Sequence, residues 1–154
     1  FSAAELLDVD AEEWDRIMDV NVRAPFLVVR AAADLLEAAS GSVINILDLS
    51  AFRPFPGYPH HSVSKAALCQ LTRVMAQALA PRVRVNGIAP GTVLPPEGAD
   101  AEEIERERRK AALGRLGAPE DVVRTVLFLA GSPFVVRPDS GSRIRTARRG
   151  HSIR

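Results

Sequence analysis

Apolar positions recur along this chain with two different periods, and the switches between them mark out the elements. The first stretch has helical spacing. Trp14, Ile17, Met18, Val20 and Val22 follow Asp10-Ala11-Glu12-Glu13. Asp10 suits an N-cap, and Glu13 stands three residues on, as in a capping box. Pro25 interrupts the pattern and predicts a kink, because its ring clashes with the preceding turn. The helical spacing resumes from Phe26 to Ala39, and Ser40-Gly41 stops it. Ser42-Val43-Ile44-Asn45-Ile46-Leu47 is short, β-branched and bounded by turn residues, which predicts a buried strand. Residues 51–59 hold three prolines and a glycine and predict a loop. From His60 to Ala80 the period is helical again, with Val63, Leu68, Leu71, Val74 and Met75 among its apolar positions, and Pro81 ends it. Val83 to Ala89 is a second buried-strand candidate, broken by Pro90-Gly91. Residues 99–113 carry charges of both signs with few apolar positions, which predicts a solvated helix. Ala118-Pro119-Glu120-Asp121 starts a last helix through Val122, Val123, Val126, Leu127 and Leu129, ended by Gly131.

The order is helix, strand, helix, strand, helix, helix. Strands alternating with long helices indicate α/β architecture with a parallel sheet. Two strands are too few to complete one. The 154 residues, 47% hydrophobic and 25% charged, have the size and composition of one globular domain. A single cysteine rules out an internal disulfide framework and suggests a reducing, cytoplasmic setting. Apolar runs fall short of the roughly 20 residues that span a membrane. The first residues also lack the basic-then-apolar pattern of a signal peptide.

The net charge of +1 is uneven. From Arg137 onward six arginines face one aspartate, so the tail carries +5 and the rest of the chain −4. Such a tail can bind nucleic acid or be disordered. Around residues 99–113, however, bases are balanced by acids, which reads as a solvated face rather than a nucleic-acid patch.

Candidate chemistry gathers between Asp48 and Lys65. A carboxylate just past the end of a parallel strand stands where open α/β sheets place their ligands. His61 and Lys65, at i and i+4, share one helix face. A lysine so placed lowers the pKa of a neighbouring proton donor and can hydrogen-bond a sugar or phosphate. The spacing alone also fits an ordinary solvated helix start. His60-His61 has no third ligand at zinc-site spacing, so no metal is expected. Cys69 and Trp14 read as packing residues.

Leu47-Asp48, with Tyr58-Pro59-His60-His61-Ser62-Val63-Ser64-Lys65-Ala66-Ala67-Leu68, resembles the active-site segment of the short-chain dehydrogenase/reductases. In that family a Tyr-x-x-x-Lys pair opens a long helix, thirteen residues after a Ser. Asp19-Val20-Asn21-Val22-Arg23-Ala24-Pro25-Phe26 resembles the segment holding the family's catalytic Asn, here Asn21. Arg84-Val85-Asn86-Gly87-Ile88-Ala89-Pro90-Gly91 is similar to the loop that contacts the nicotinamide, and Gly114 to Asp121 to the start of the last family helix. The resemblance covers residues 1 to about 135 and leaves 136–154 as a divergent, disordered basic tail. From Val136 the apolar alternation of the family's last strand is missing, as a reading-frame change in the coding DNA there would produce.

The resemblance implies an oxidoreductase using NADP(H), with NAD(H) as the other option, and a small-molecule substrate. It assigns catalysis to Asn21, Asp48, His61 and Lys65. It assigns cofactor contacts to Lys65, Pro90, Gly91, Thr92 and Val93. His61 stands in the Tyr position and Asp48 in the Ser position, while Tyr58 lies seven residues before Lys65 and is out of register. Asp48 with Arg53-Pro54 and Gly57-Tyr58-Pro59, and the Pro-rich loop 92–97, are similar to the pteridine reductase branch, which implies a dihydropterin or dihydrofolate substrate. Imidazole titrates near pH ~6.5 when unperturbed. Lys65 favours its neutral form and Asp48 its protonated form, so His61 either donates the proton or shapes the pocket while Asp48 relays it. The alternatives are a 3-oxoacyl-type carbonyl reductase and an inactive homologue acting through its helices. The chain holds no Gly-x-x-x-Gly-x-Gly phosphate loop. The expectation is therefore an incomplete Rossmann-like doubly wound sheet lacking its N-terminal strands. Helices 10–39 and 60–80 are those the family uses to form dimers and tetramers.

Overall fold

The computed structural model describes residues 3–95 and 98–133. The expectations for the tail 136–154 lie outside the described residues. Two parallel strands, β1 (Ser42–Ile46) and β2 (Arg84–Ile88), pair in the register Ser42 with Arg84 through Ile46 with Ile88. The hydrogen bonding runs one residue past β1, where Leu47 N donates to Ile88 O at 2.7 Å. Helix α4 (Pro59–Ala78) connects the strands, as a parallel pair requires.

The core lies between α4 and the sheet. Met75, Val83, Val85 and Val29 form one buried cluster, and Leu47, Leu68 and Cys69 another. Gly87 leaves room for the side chain of Leu47 beside it, since a Cβ there would fall 2.7 Å from Leu47 Cδ1. Asn45, buried on β1, donates to Thr72 Oγ1 of α4 at 2.8 Å, and Thr72 Oγ1 donates to Leu68 O at 2.7 Å. The last helix, α6 (Pro119–Gly131), packs on both strands. Arg84 fixes its C-terminus, donating to Leu129 O and Ala130 O at 2.6 and 2.7 Å. There a cation also meets the negative end of the helix dipole.

The kinked helix expected over residues 10–39 is in fact four pieces: α1 (Ala11–Met18), a π-helical turn (Asp19–Arg23), α2 (Ala24–Ala31) and α3 (Ala33–Ala38). Pro25 lies in the first turn of α2, directly after a π-helical turn, where the hydrogen-bond ladder changes register. The wider turn precedes it, with Ala24 N donating five residues back to Asp19 O. The expected capping box at Asp10 is half made. Asp10 accepts from Glu13 N at 2.8 Å, but the Glu13 carboxylate turns to Arg16, two contacts of 2.8 Å. A complete box starts α5 (Ala101–Lys110) instead, from Asp100 and Glu103.

Candidate active site

Because β1 and β2 run parallel, the segments that leave them emerge on the same side. β1 leads through Leu47 into Asp48, and β2 into Pro90–Val93. Asp48 caps a short 3-10 turn (Leu49–Ala51), and its Oδ1 accepts from Ser50 N at 2.7 Å. Its other oxygen, Oδ2, lies 3.8 Å from His61 Nε2. His61 is buried in the first turn of α4, a helix opened by Pro59. Burial pushes its pKa below the ordinary histidine value, and Lys65 and His60 add to this. The Asp48 carboxylate opposes it without reversing it.

Lys65 stands one turn further along α4. Its Nζ donates to Ile46 O at 3.0 Å, at the end of β1. Burial also lowers its pKa, against the pull of Asp48. Asn21 reaches the same helix from the π-helical turn. Its Nδ2 donates to Ser64 Oγ at 3.0 Å, and Ser64 Oγ donates to His61 O at 2.8 Å. All four predicted catalytic residues thus converge on one strand end and the first two turns of α4.

A cleft of about 590 Å³ opens in front of Asp48 and His61, with Asn21 and Lys65 behind them and outside its lining. Asp48 and His61 line one wall, and Pro90, Gly91, Thr92 and Val93 another. Gly117 N donates to Thr92 O at 2.9 Å and so holds this loop. Tyr58 also lines the cleft, although it is out of register with Lys65. The sequence predicted α5 as a solvated helix within residues 99–113, but not that one side of it borders the cleft. Its Glu103, Arg106 and Glu107 face the cleft, and Thr92 Oγ1 meets Glu107 Oε2 at 3.4 Å. The signal that could have found it is the return of the chain at Gly114 to Gly117, which folds the charged helix back over the loop.

His60, beside His61, is fully buried, and its ring nitrogens make no hydrogen bond. Its nearest charge is Glu13, 3.6 Å away. No group of three or more His, Cys, Asp or Glu residues able to hold a metal occurs among the described residues. Nor is any described helix long and apolar enough to cross a membrane.

The residues present fit the nicotinamide end of a dinucleotide. Half-buried Lys65 and the pinned loop Pro90–Val93 border the same strand ends. The pyrophosphate end finds no glycine-rich loop in the chain.

Residues 2–135 match the family model described as "Enoyl-(Acyl carrier protein) reductase". The dehydrogenase/reductase SDR family member 4 of Pongo abelii is 40% identical over 130 residues, 80% of this chain and 47% of that protein. The FolM alternative dihydrofolate reductase 1 of Brucella suis, solved in complex with NADP, is 36% identical with a TM-score of 0.76, over 83% of this chain and 52% of that one. A 4-hydroxyisoleucine dehydrogenase complexed with NADH is 26% identical with a TM-score of 0.77, over 83% and 56%. The chain spans about half the length of the curated relatives it matches. By the family match across residues 2–135, and by a fold and an order of site segments that agree with it, the chain belongs to the short-chain dehydrogenase/reductase family.

Proposed function

We propose that this chain carries the acid–base half of a nicotinamide-dependent oxidoreductase, with His61 in the place of the family's tyrosine. The observation that carries this reading is the Asp48–His61 pair, 3.8 Å apart at the strand ends, facing the cleft that Pro90–Val93 also lines. Lys65 and Pro90–Val93 would hold the nicotinamide and its ribose, and a bound NAD(P)H supplies the hydride. His61 handles the proton at Nε2, the ring nitrogen nearer Asp48. Because burial favours the neutral ring, His61 stands in the form that can accept a proton when an alcohol is oxidised. When a substrate is reduced, Asp48 stabilises the imidazolium that must be loaded first. Asn21 and Ser64 fix the turn that carries His61.

The finer reading is NADP(H) as cofactor and a dihydropterin or dihydrofolate as substrate. It is supported by Asp48 with Arg53-Pro54 and by the likeness to the NADP-bound FolM structure. Reduction of a 3-oxoacyl group is the second reading, favoured by the acyl carrier protein in the family model's description. A homodimer or homotetramer through residues 10–39 and 60–80, working in the cytoplasm, belongs to the same proposal. Val20, Val63 and Val74 support it, because they are 45–60% exposed on those helices. Light scattering tests the assembly.

The deciding assay, on the full-length gene product, follows NADPH and NADH oxidation with dihydrobiopterin, dihydrofolate and a 3-oxoacyl thioester. Turnover that His61→Ala abolishes supports the reading; near-normal turnover by that variant sinks it and points to a relay by Asp48, and no turnover by the unsubstituted protein points to an inactive homologue. The 154-residue chain, with no phosphate loop, is expected to bind NADPH weakly or not at all, and micromolar binding in calorimetry would overturn that.

A further inference from the structure

The cleft continues past Leu49, Phe55 and Tyr58 into a second lobe of about 490 Å³. The two lobes differ in charge. Asp48 and His61 line only the first, whereas Arg53 and Lys110 line only the second. Glu107 borders both. Lys110 Nζ already meets Glu107 Oε1 at 2.7 Å, so its charge is spent within α5. The first lobe's other charges, Glu103 and Arg106, also face each other, at 3.6 Å.

Arg53 is different. It is exposed and enters no ion pair or side-chain hydrogen bond among the described residues. Its backbone is nevertheless held on both sides. Arg53 N donates to Leu49 O at 3.1 Å, and Phe55 N donates to Ser62 Oγ of α4 at 3.0 Å. A guanidinium on a fixed loop, facing a cavity with apolar and aromatic walls, is a ready partner for a planar anion, because its fork matches a carboxylate with two parallel bonds. An anion is repelled from the Asp48 end by the carboxylate there.

We propose that the substrate is elongated and carries a carboxylate. Its reacting carbon lies at Asp48 and His61, a flat apolar middle section runs along Leu49, Phe55 and Tyr58, and the carboxylate pairs with Arg53. The proposal rests on the acid–base reading of Asp48 and His61 for the orientation of the substrate, but the Arg53 subsite stands on its own geometry.

The test uses two probes that differ by one charge, N-(4-acetylbenzoyl)glycine and its amide, titrated calorimetrically into the 154-residue chain. The acid is expected to bind about 5- to 10-fold more tightly than the amide, the size of one partly solvated charge-assisted pair. Arg53→Gln removes no contact of the fold and should erase this preference while leaving the amide unchanged. Glu107→Gln, which frees Lys110, should tighten the acid several-fold. Equal binding of acid and amide, absence of binding by either, or a preference that survives Arg53→Gln overturns the subsite. NAD(P)H oxidation with the same probes, run on the full-length gene product, separates the two readings. Discrimination without turnover sinks the acid–base assignment and keeps the subsite. Turnover without discrimination does the reverse.

Discussion

Helices α4 and α5 both border the cleft, yet they are made in opposite ways. On α4 the polar side chains that face the rest of the fold are buried or half-buried, and their partners lie on other segments. Ser62 serves Phe55, Ser64 serves Asn21, Lys65 serves Ile46 and Thr72 serves Asn45. On α5 the charged side chains are mostly exposed, and their pairs are local: Glu103 with Arg106, Glu105 with Arg108 and Arg109, Glu107 with Lys110. A buried polar group must be satisfied or it costs stability. Each such residue on α4 therefore fixes a distance in the fold. The pairs on α5 are screened by water, and each contributes little. One wall of the cleft sets chemistry and the other is free to set preference.

Substitutions can break this contrast, and the largest effect should come from α4. His61→Ala is expected to lower turnover by about 10²-fold or more, the usual worth of a positioned acid or base, whereas Arg109→Ala on α5 should leave steady-state kinetics unchanged. Comparable losses from both would erase the distinction. The pH profile sharpens it. Reduction needs protonated His61, and its pKa lies below 6.5. The rate of reduction should therefore fall about tenfold per pH unit from a midpoint under 6.5, while oxidation, which needs the neutral ring, persists through pH 7. A reduction limb centred at or above 6.5 would contradict the burial argument.

Stability should follow the same division. Thr72→Val strands the buried amide of Asn45 and is expected to cost about 1–3 kcal/mol in urea denaturation. Asp100→Ala removes the cap of α5 and should cost about 1 kcal/mol. Glu105→Ala removes two exposed pairs and should cost under about 0.5 kcal/mol. If Glu105→Ala matched Thr72→Val, the pairs on α5 would have to be far less screened than their exposure indicates.

The contrast also explains what the sequence made legible. Both strands, α4 and the facing of His61 and Lys65 follow from period and spacing, because those rules act within a few residues. The approach of Asp48 to His61 follows from strand-end logic. The Asn21–Ser64 link does not, because it depends on the π-helical turn ahead of Pro25, which widens the backbone ladder by one residue. Nor does the path of α5 over Thr92. Its charge pattern reports the side that meets water and says nothing of what the other side covers. Glu13 shows the same limit, since the residue that fits a capping box found Arg16 nearer to hand.

Gly87 gives the strand pair one more consequence. The place its Cβ would fill is already taken by the side chain of Leu47, the residue directly before Asp48. Position 87 therefore works as a gauge block whose thickness is a single hydrogen atom. A methyl group there would meet the end of the Leu47 side chain, which must turn aside within the cluster it shares with Leu68 and Cys69. Gly87→Ala thus probes, from the neighbouring strand, how much repacking the apolar floor beneath Asp48 absorbs before the Asp48–His61 pair is disturbed.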